Sequence, residues 1–126
     1  MTEDEVVQTL YKHYESLFPK VCPNCNRSFA KLREYIENTR PIGPPVSYDA
    51  ELENWKPKKP IGSMVFANCP CGSTLALDTE GMPLPLRLEL LDWIRNETKC
   101  RGMRLPELLD YMRDEVHKRV LCEAIP

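Results

Sequence analysis

Asn68-Cys69-Pro70-Cys71-Gly72-Ser73-Thr74-Leu75-Ala76-Leu77 is the stretch on which the fold turns, and its distant partner is Cys22-Pro23-Asn24-Cys25. Side chains alternate along an extended chain, so Cys69 and Cys71 leave on one face. A C-x-x-C turn gathers Cys22 and Cys25 in the same way, with Pro23 presetting a turn dihedral and Asn24 tolerating the position after it. Gly72 permits a left-handed turn and a close approach of backbone N–H groups to sulfur. Two tight thiol pairs make four soft ligands, the complement of a tetrahedral structural zinc. One Zn²⁺ per chain, on Cys22, Cys25, Cys69 and Cys71, is therefore the expected cofactor.

Around the second pair, Met64-Val65-Phe66-Ala67 is a short apolar run with β-favouring members, and Thr74 to Leu77 leaves the knuckle as a second strand. Asp78-Thr79-Glu80-Gly81 closes the segment as a turn. The result is a β-hairpin over 61–81 with the cysteines at its tip. The first knuckle folds back across 43 intervening residues to complete the site. Closing so long a loop costs entropy that grows only logarithmically with its length. The Cys-Pro-x-Cys and Cys-Pro-Cys-Gly pattern resembles the knuckles of zinc-ribbon and zinc-knuckle proteins. The resemblance covers the two knuckles and the second hairpin, with C-x-C standing where a ribbon carries its second C-x-x-C, and it implies a structural metal site.

Other readings of the thiols are weaker. Buried reduced cysteines would sit among core residues, whereas these four lie beside Pro, Asn and Gly. The chain begins Met-Thr-Glu-Asp-Glu without a signal peptide, so the expectation is a reducing, cytoplasmic location and no disulfide framework. A C-x-x-C just before a helix is also how thioredoxin-like enzymes present a reactive thiol. Those enzymes place a strand before the motif, and here a helix precedes it.

Thr2 and Glu5 read as a capping box. The helix they open, 3–18, carries Val6, Val7, Leu10, Tyr11, Tyr14, Leu17 and Phe18 along one face. His13 falls off that stripe and is expected at the surface. Pro19 ends the helix. Ser28 reads as the N-cap of a second helix carrying Phe29, Leu32, Tyr35 and Ile36 inward, so that 22–38 is knuckle plus helix. Prolines exclude a long helix from 39–60, which is expected to be irregular. Within it, Tyr48, Trp55, Lys56, Lys58 and Lys59 form either a partner-recognition strip or, more simply, a core-packed tryptophan beside solvated lysines. Pro83 and Pro85 open a leucine-rich helix, and Pro106 a last one with a regular apolar stripe, forming an antiparallel pair over 84–122. The apolar arc of the first is wide enough for central burial or a dimer interface. Cys100 and Cys122 are expected to be free thiols.

The 126 residues suit a single zinc-binding domain over 1–126. A net charge of −2 does not suit an overall basic nucleic-acid binder. No apolar run reaches the roughly 18 residues of a membrane span, so no membrane partner is expected. The expected fold class is α+β, a zinc-bound β-hairpin with a C-x-x-C knuckle surrounded by about four helices. A four-thiolate site leaves no open metal position, and no catalytic constellation is present, so the chain is not expected to be an enzyme. The expected role is a protein-interaction or regulatory module with a protein partner. The alternatives are a redox-responsive zinc switch or thiol oxidoreductase, and a nucleic-acid-binding zinc ribbon centred on Trp55 and the lysines.

Overall fold

A computed structural model describes residues 1–122; residues 123–126 of the expected domain lie outside the described residues. It is an α+β arrangement of α-helices and antiparallel sheets. Helix α1 (Glu3–Glu15) opens on the capping box: Thr2 Oγ1 accepts from the Glu5 N–H, and the Glu5 carboxylate accepts from the Thr2 N–H, each at 3.2 Å. These bonds satisfy backbone donors that a helix start leaves unpaired. Val6, Val7 and Tyr14 of the stripe are buried, and Leu10, Tyr11, Leu17 and Phe18 pack at the edge of the core. The helix stops short of Pro19, at a Ser16 cap whose hydroxyl donates to the His13 carbonyl. His13 is half-buried and not simply a solvated surface residue. Its Nε2 lies 2.7 Å from the Asp78 carbonyl oxygen and ties α1 to the end of the second knuckle's hairpin.

The first knuckle departs from expectation. Lys20–Val21 (β1) pairs antiparallel with Ser28–Phe29 (β2), so Ser28 is a strand residue and not an N-cap. Helix α2 (Leu32–Asn38) begins after Lys31. Phe29 is fully buried, with its ring edge-on to Tyr35 at 5.4 Å. That anchor explains why the chain extends there: a two-residue strand can drop Phe29 into the core while its neighbours stay wet.

The segment 39–60 is also more ordered than its prolines suggest. Arg40–Pro41 (β3) and Val46–Ser47 (β4) both pair with β5 (Ser63–Asn68), followed by a one-turn helix α3 (Tyr48–Glu51). Strand β6 (Thr74–Asp78) pairs with β5 along its length, so β3 and β4 share the other edge of β5. An edge place is where a strand tolerates the missing N–H of Pro41. Alternation in β6 buries Leu75 and Leu77. Asp49, only 3 % exposed, fixes the return of the loop by accepting from the Ile61 and Gly62 N–H groups, both at 2.9 Å.

Helix α4 (Leu84–Arg101) starts with Pro in its first turn and ends on Gly102 in the left-handed region (φ 63°), where the Met103 N–H bonds the Thr98 carbonyl. Together with the Gly102 N–H on the Lys99 carbonyl at 3.4 Å, this is a Schellman termination, which favours glycine. After the turn, α5 (Leu105–Leu121) packs against α4, α1 and α2, burying Leu108, Leu109, Met112, Val116 and Val120. Among the described residues five helices thus stand where about four were expected, the additional one being the single turn α3. At one end Glu3 accepts from Arg101 at 2.8 Å and from the Tyr111 hydroxyl at 3.3 Å, stitching α1 to α4 and α5. Among the described residues no helix is long and apolar enough to cross a membrane.

Candidate metal centre

Cys22 and Cys25 occupy the β1–β2 turn, and Cys69 and Cys71 the β5–β6 turn. The two turns follow one pattern, the first being one residue longer. In the first, the Asn26 N–H donates to the Cys22 carbonyl and the Cys22 N–H to the Arg27 carbonyl, each at 2.9 Å. In the second, the Gly72 N–H donates to the Cys69 carbonyl and the Cys69 N–H to the Ser73 carbonyl, each at 2.8 Å. The residue directly after the second cysteine takes a positive φ in both, 63° at Asn26 and 95° at Gly72. Gly and Asn tolerate this conformation best. Gly72 was readable as such a residue; in the first knuckle the role belongs to Asn26 and not Asn24.

The four Sγ atoms all lie within 4.8 Å of one another. Cys22 faces Cys71 at 3.8 Å and Cys25 faces Cys69 at 3.7 Å. A disulfide would bring sulfurs to about 2.05 Å. A tetrahedron of sulfurs around zinc, with Zn–S about 2.3 Å, has an edge of roughly 3.8 Å. The donor set and its spacing therefore fit a metal ion held by both hairpins. Each of the two contacts joins one knuckle to the other, so a bound ion would cross-link elements far apart in the chain.

The centre is half sunk. Cys22 and Cys69 are 0 % and 2 % exposed and belong to the same core cluster as Phe29, Leu32 and Tyr35, whereas Cys25 and Cys71 are exposed. Asn24 donates its side-chain amide to Cys71 Sγ at 3.4 Å. That donor, followed by the hydroxyl and N–H of Ser73, brings the Cys71 thiol down to about 5. The N–H groups of Cys25 and then Asn24 lower Cys22. Against the Cys71 N–H, which favours the thiolate, burial and the adjoining thiols push Cys69 up to about 11. Donors aimed at sulfur favour the thiolate, the form that binds metal.

The remaining sequence candidates do not join this cluster. Tyr48 is half-buried, with its hydroxyl against Met64 Sδ at 3.8 Å. Trp55 packs at the edge of the core with the Arg95 guanidinium 5.9 Å from its ring centroid. Lys56, Lys58 and Lys59 are exposed, and Lys56 lines a groove with Leu88 and Asp92 on α4. Cys100 and Cys122 are exposed free thiols outside the cluster. Asn24 and Ser73 were not singled out as site residues. Only their position inside or just beyond a cysteine pair could have marked them. No family model, curated protein or solved structure matches the chain.

Proposed function

We propose that the chain is a zinc protein in which Cys22, Cys25, Cys69 and Cys71 hold one structural Zn²⁺, and that it serves as a protein-interaction or regulatory module. The observation that carries this reading is the spacing of the four sulfurs, 3.7–3.8 Å for the facing pairs. Four thiolates complete the coordination shell of the ion, leaving no position for water or substrate, so the metal acts on the fold. The ion fixes one hairpin against the other; burial of Phe29 and Leu108 supplies the core on which both rest. Chelation under reducing conditions, followed by amide hydrogen exchange, tests the role. Loosening confined to β1–β2 and the tip of β5–β6, with α4 and α5 still protected, is the expected outcome; unchanged protection throughout would count against it.

A redox-responsive variant of this reading draws support from the exposure of Cys25 and Cys71. Peroxide would take two thiolates to a disulfide, itself being reduced to water, and release the ion. Zinc still bound after peroxide treatment would dispose of this version. The oxidoreductase reading leaned on a helix starting directly after C-x-x-C, and α2 begins only at Leu32. The nucleic-acid reading leaned on Trp55 as a stacking face, which Arg95 covers in part.

A further inference from the structure

The helices and the β5–β6 sheet do not fill the space between them. On the sheet side the wall residues are Ser63, Val65, Leu77 and Thr79, three of them short, and a pocket of about 60 Å³ is left against α1, α4 and α5. Close-packed interiors hold few voids larger than a water molecule, which needs about 10–15 Å³ on this scale. The pocket therefore has room for a guest of about five non-hydrogen atoms. Its helical wall includes Trp93, Ile94, Met112 and Val116, all buried, while Pro45, Arg113 and His117 are half-buried and mark the side on which it opens.

No unpaired charge belongs to this wall. Arg113 donates to the carboxylates of Asp110 and Asp114 and, at 2.5 Å, to the Gly43 carbonyl, which ties down the loop carrying Pro45. Burial, then the charge of Arg113, hold His117 down to about 4, so its imidazole is neutral at pH 7. An anion thus finds its one cation already neutralised, and the apolar remainder of the wall repels any ion. Two polar side chains on the wall nevertheless lack a partner. Tyr14, only 8 % exposed, and His117 make no hydrogen bond to any other described residue. Buried polar groups are normally paired. An apolar pocket with one or two placed polar groups is the usual form of a small-molecule site.

We propose that this pocket binds a small, neutral, largely apolar molecule with one hydroxyl group, its carbon frame against Trp93, Ile94 and Val116 and its hydroxyl hydrogen-bonded to Tyr14 or His117. The inference goes beyond the metal reading and does not rest on it. NMR titration of the zinc-loaded chain with cyclopentanol, cyclopentane and cyclopentanecarboxylate tests it, read on the two indole N–H signals. Trp93 lines the pocket and Trp55 does not, so each titration carries its own control. Cyclopentanol and cyclopentane should both shift Trp93 saturably and leave Trp55 in place, and the carboxylate should do neither. Either Tyr14→Phe or His117→Leu should weaken cyclopentanol about fivefold, the worth of one hydrogen bond, without changing the affinity for cyclopentane. Circular dichroism and zinc content show whether each variant folds, and the wild-type titrations stand in either case. A Trp93 signal indifferent to cyclopentanol overturns the proposal, as do equal shifts at Trp55, a carboxylate bound as tightly as the alcohol, or two folded variants that both keep the full affinity for the alcohol.

Discussion

Asn24, in the turn of the first knuckle, donates its side-chain amide to the sulfur of Cys71 in the second, 47 residues away, at 3.4 Å. The bond joins the two hairpins independently of any metal, and it acts on an exposed sulfur that water would otherwise solvate.

Replacing this donor should loosen the metal without unfolding the chain. Asn24→Ala is expected to weaken zinc binding about tenfold, the lower end of the range for partners that orient metal ligands. Competition with a chromophoric chelator measures it; an affinity equal to wild type would show that the amide has no such role.

Asp49 should be the costliest single loss outside the cysteines and the apolar core. Its two carboxylate oxygens accept from Ile61 and Gly62, and Asp49→Ala leaves those donors without a partner. A destabilisation of about 2–4 kcal/mol is expected from the unsatisfied groups. Urea unfolding checks it, and a change below about 1 kcal/mol would mean that water replaces the carboxylate freely.

Thr2→Ala removes one half of the capping box and should lower stability by about 1 kcal/mol. Its effect should add to that of Asp49→Ala, since the two share no partner. Strong non-additivity in the double variant would contradict the independent roles assigned here.

Acid should weaken the fold through His117. Burial, then the charge of Arg113, hold its imidazole down to about 4 from the ordinary 6.5, with Asp114 opposing. The folded state binds this proton less tightly than the unfolded chain. The stability it contributes is therefore complete above 6.5 and is lost as pH falls towards 4. The shift corresponds to about 3 kcal/mol at most. His117→Gln should flatten that part of the melting-temperature profile; the thiolates are common to both proteins, so parallel wild-type and variant curves would rule the histidine out.

How much of this was legible beforehand depended on how local each signal is. The capping box, the second hairpin and the starts of α4 and α5 are written in adjacent residues: Thr2 with Glu5, Met64 to Ala67 before a Cys-Pro-Cys-Gly turn, and Pro at the head of a leucine run. The four cysteines were legible for the same reason. The first hairpin was not, because Ser28 before an apolar residue satisfies the pattern of an N-cap as well as that of a two-residue strand, and only the cavity filled by Phe29 decides between them. Strands β3 and β4 were hidden by their prolines and by the fact that their partner β5 lies some twenty residues on, a pairing no local pattern announces. His13 was misplaced because helical spacing says which face a residue takes but not which hairpin end lies over it.

The central claim is that the four paired cysteines hold a metal ion that joins the two hairpins. Elemental analysis of protein purified under reducing conditions, wild type beside Cys69→Ser, tests it most directly. One zinc per chain in the wild type, with none and a lowered melting temperature in the variant, is the predicted result. A wild-type chain that carries no metal yet melts as cooperatively as the variant, at the same temperature, would contradict the account.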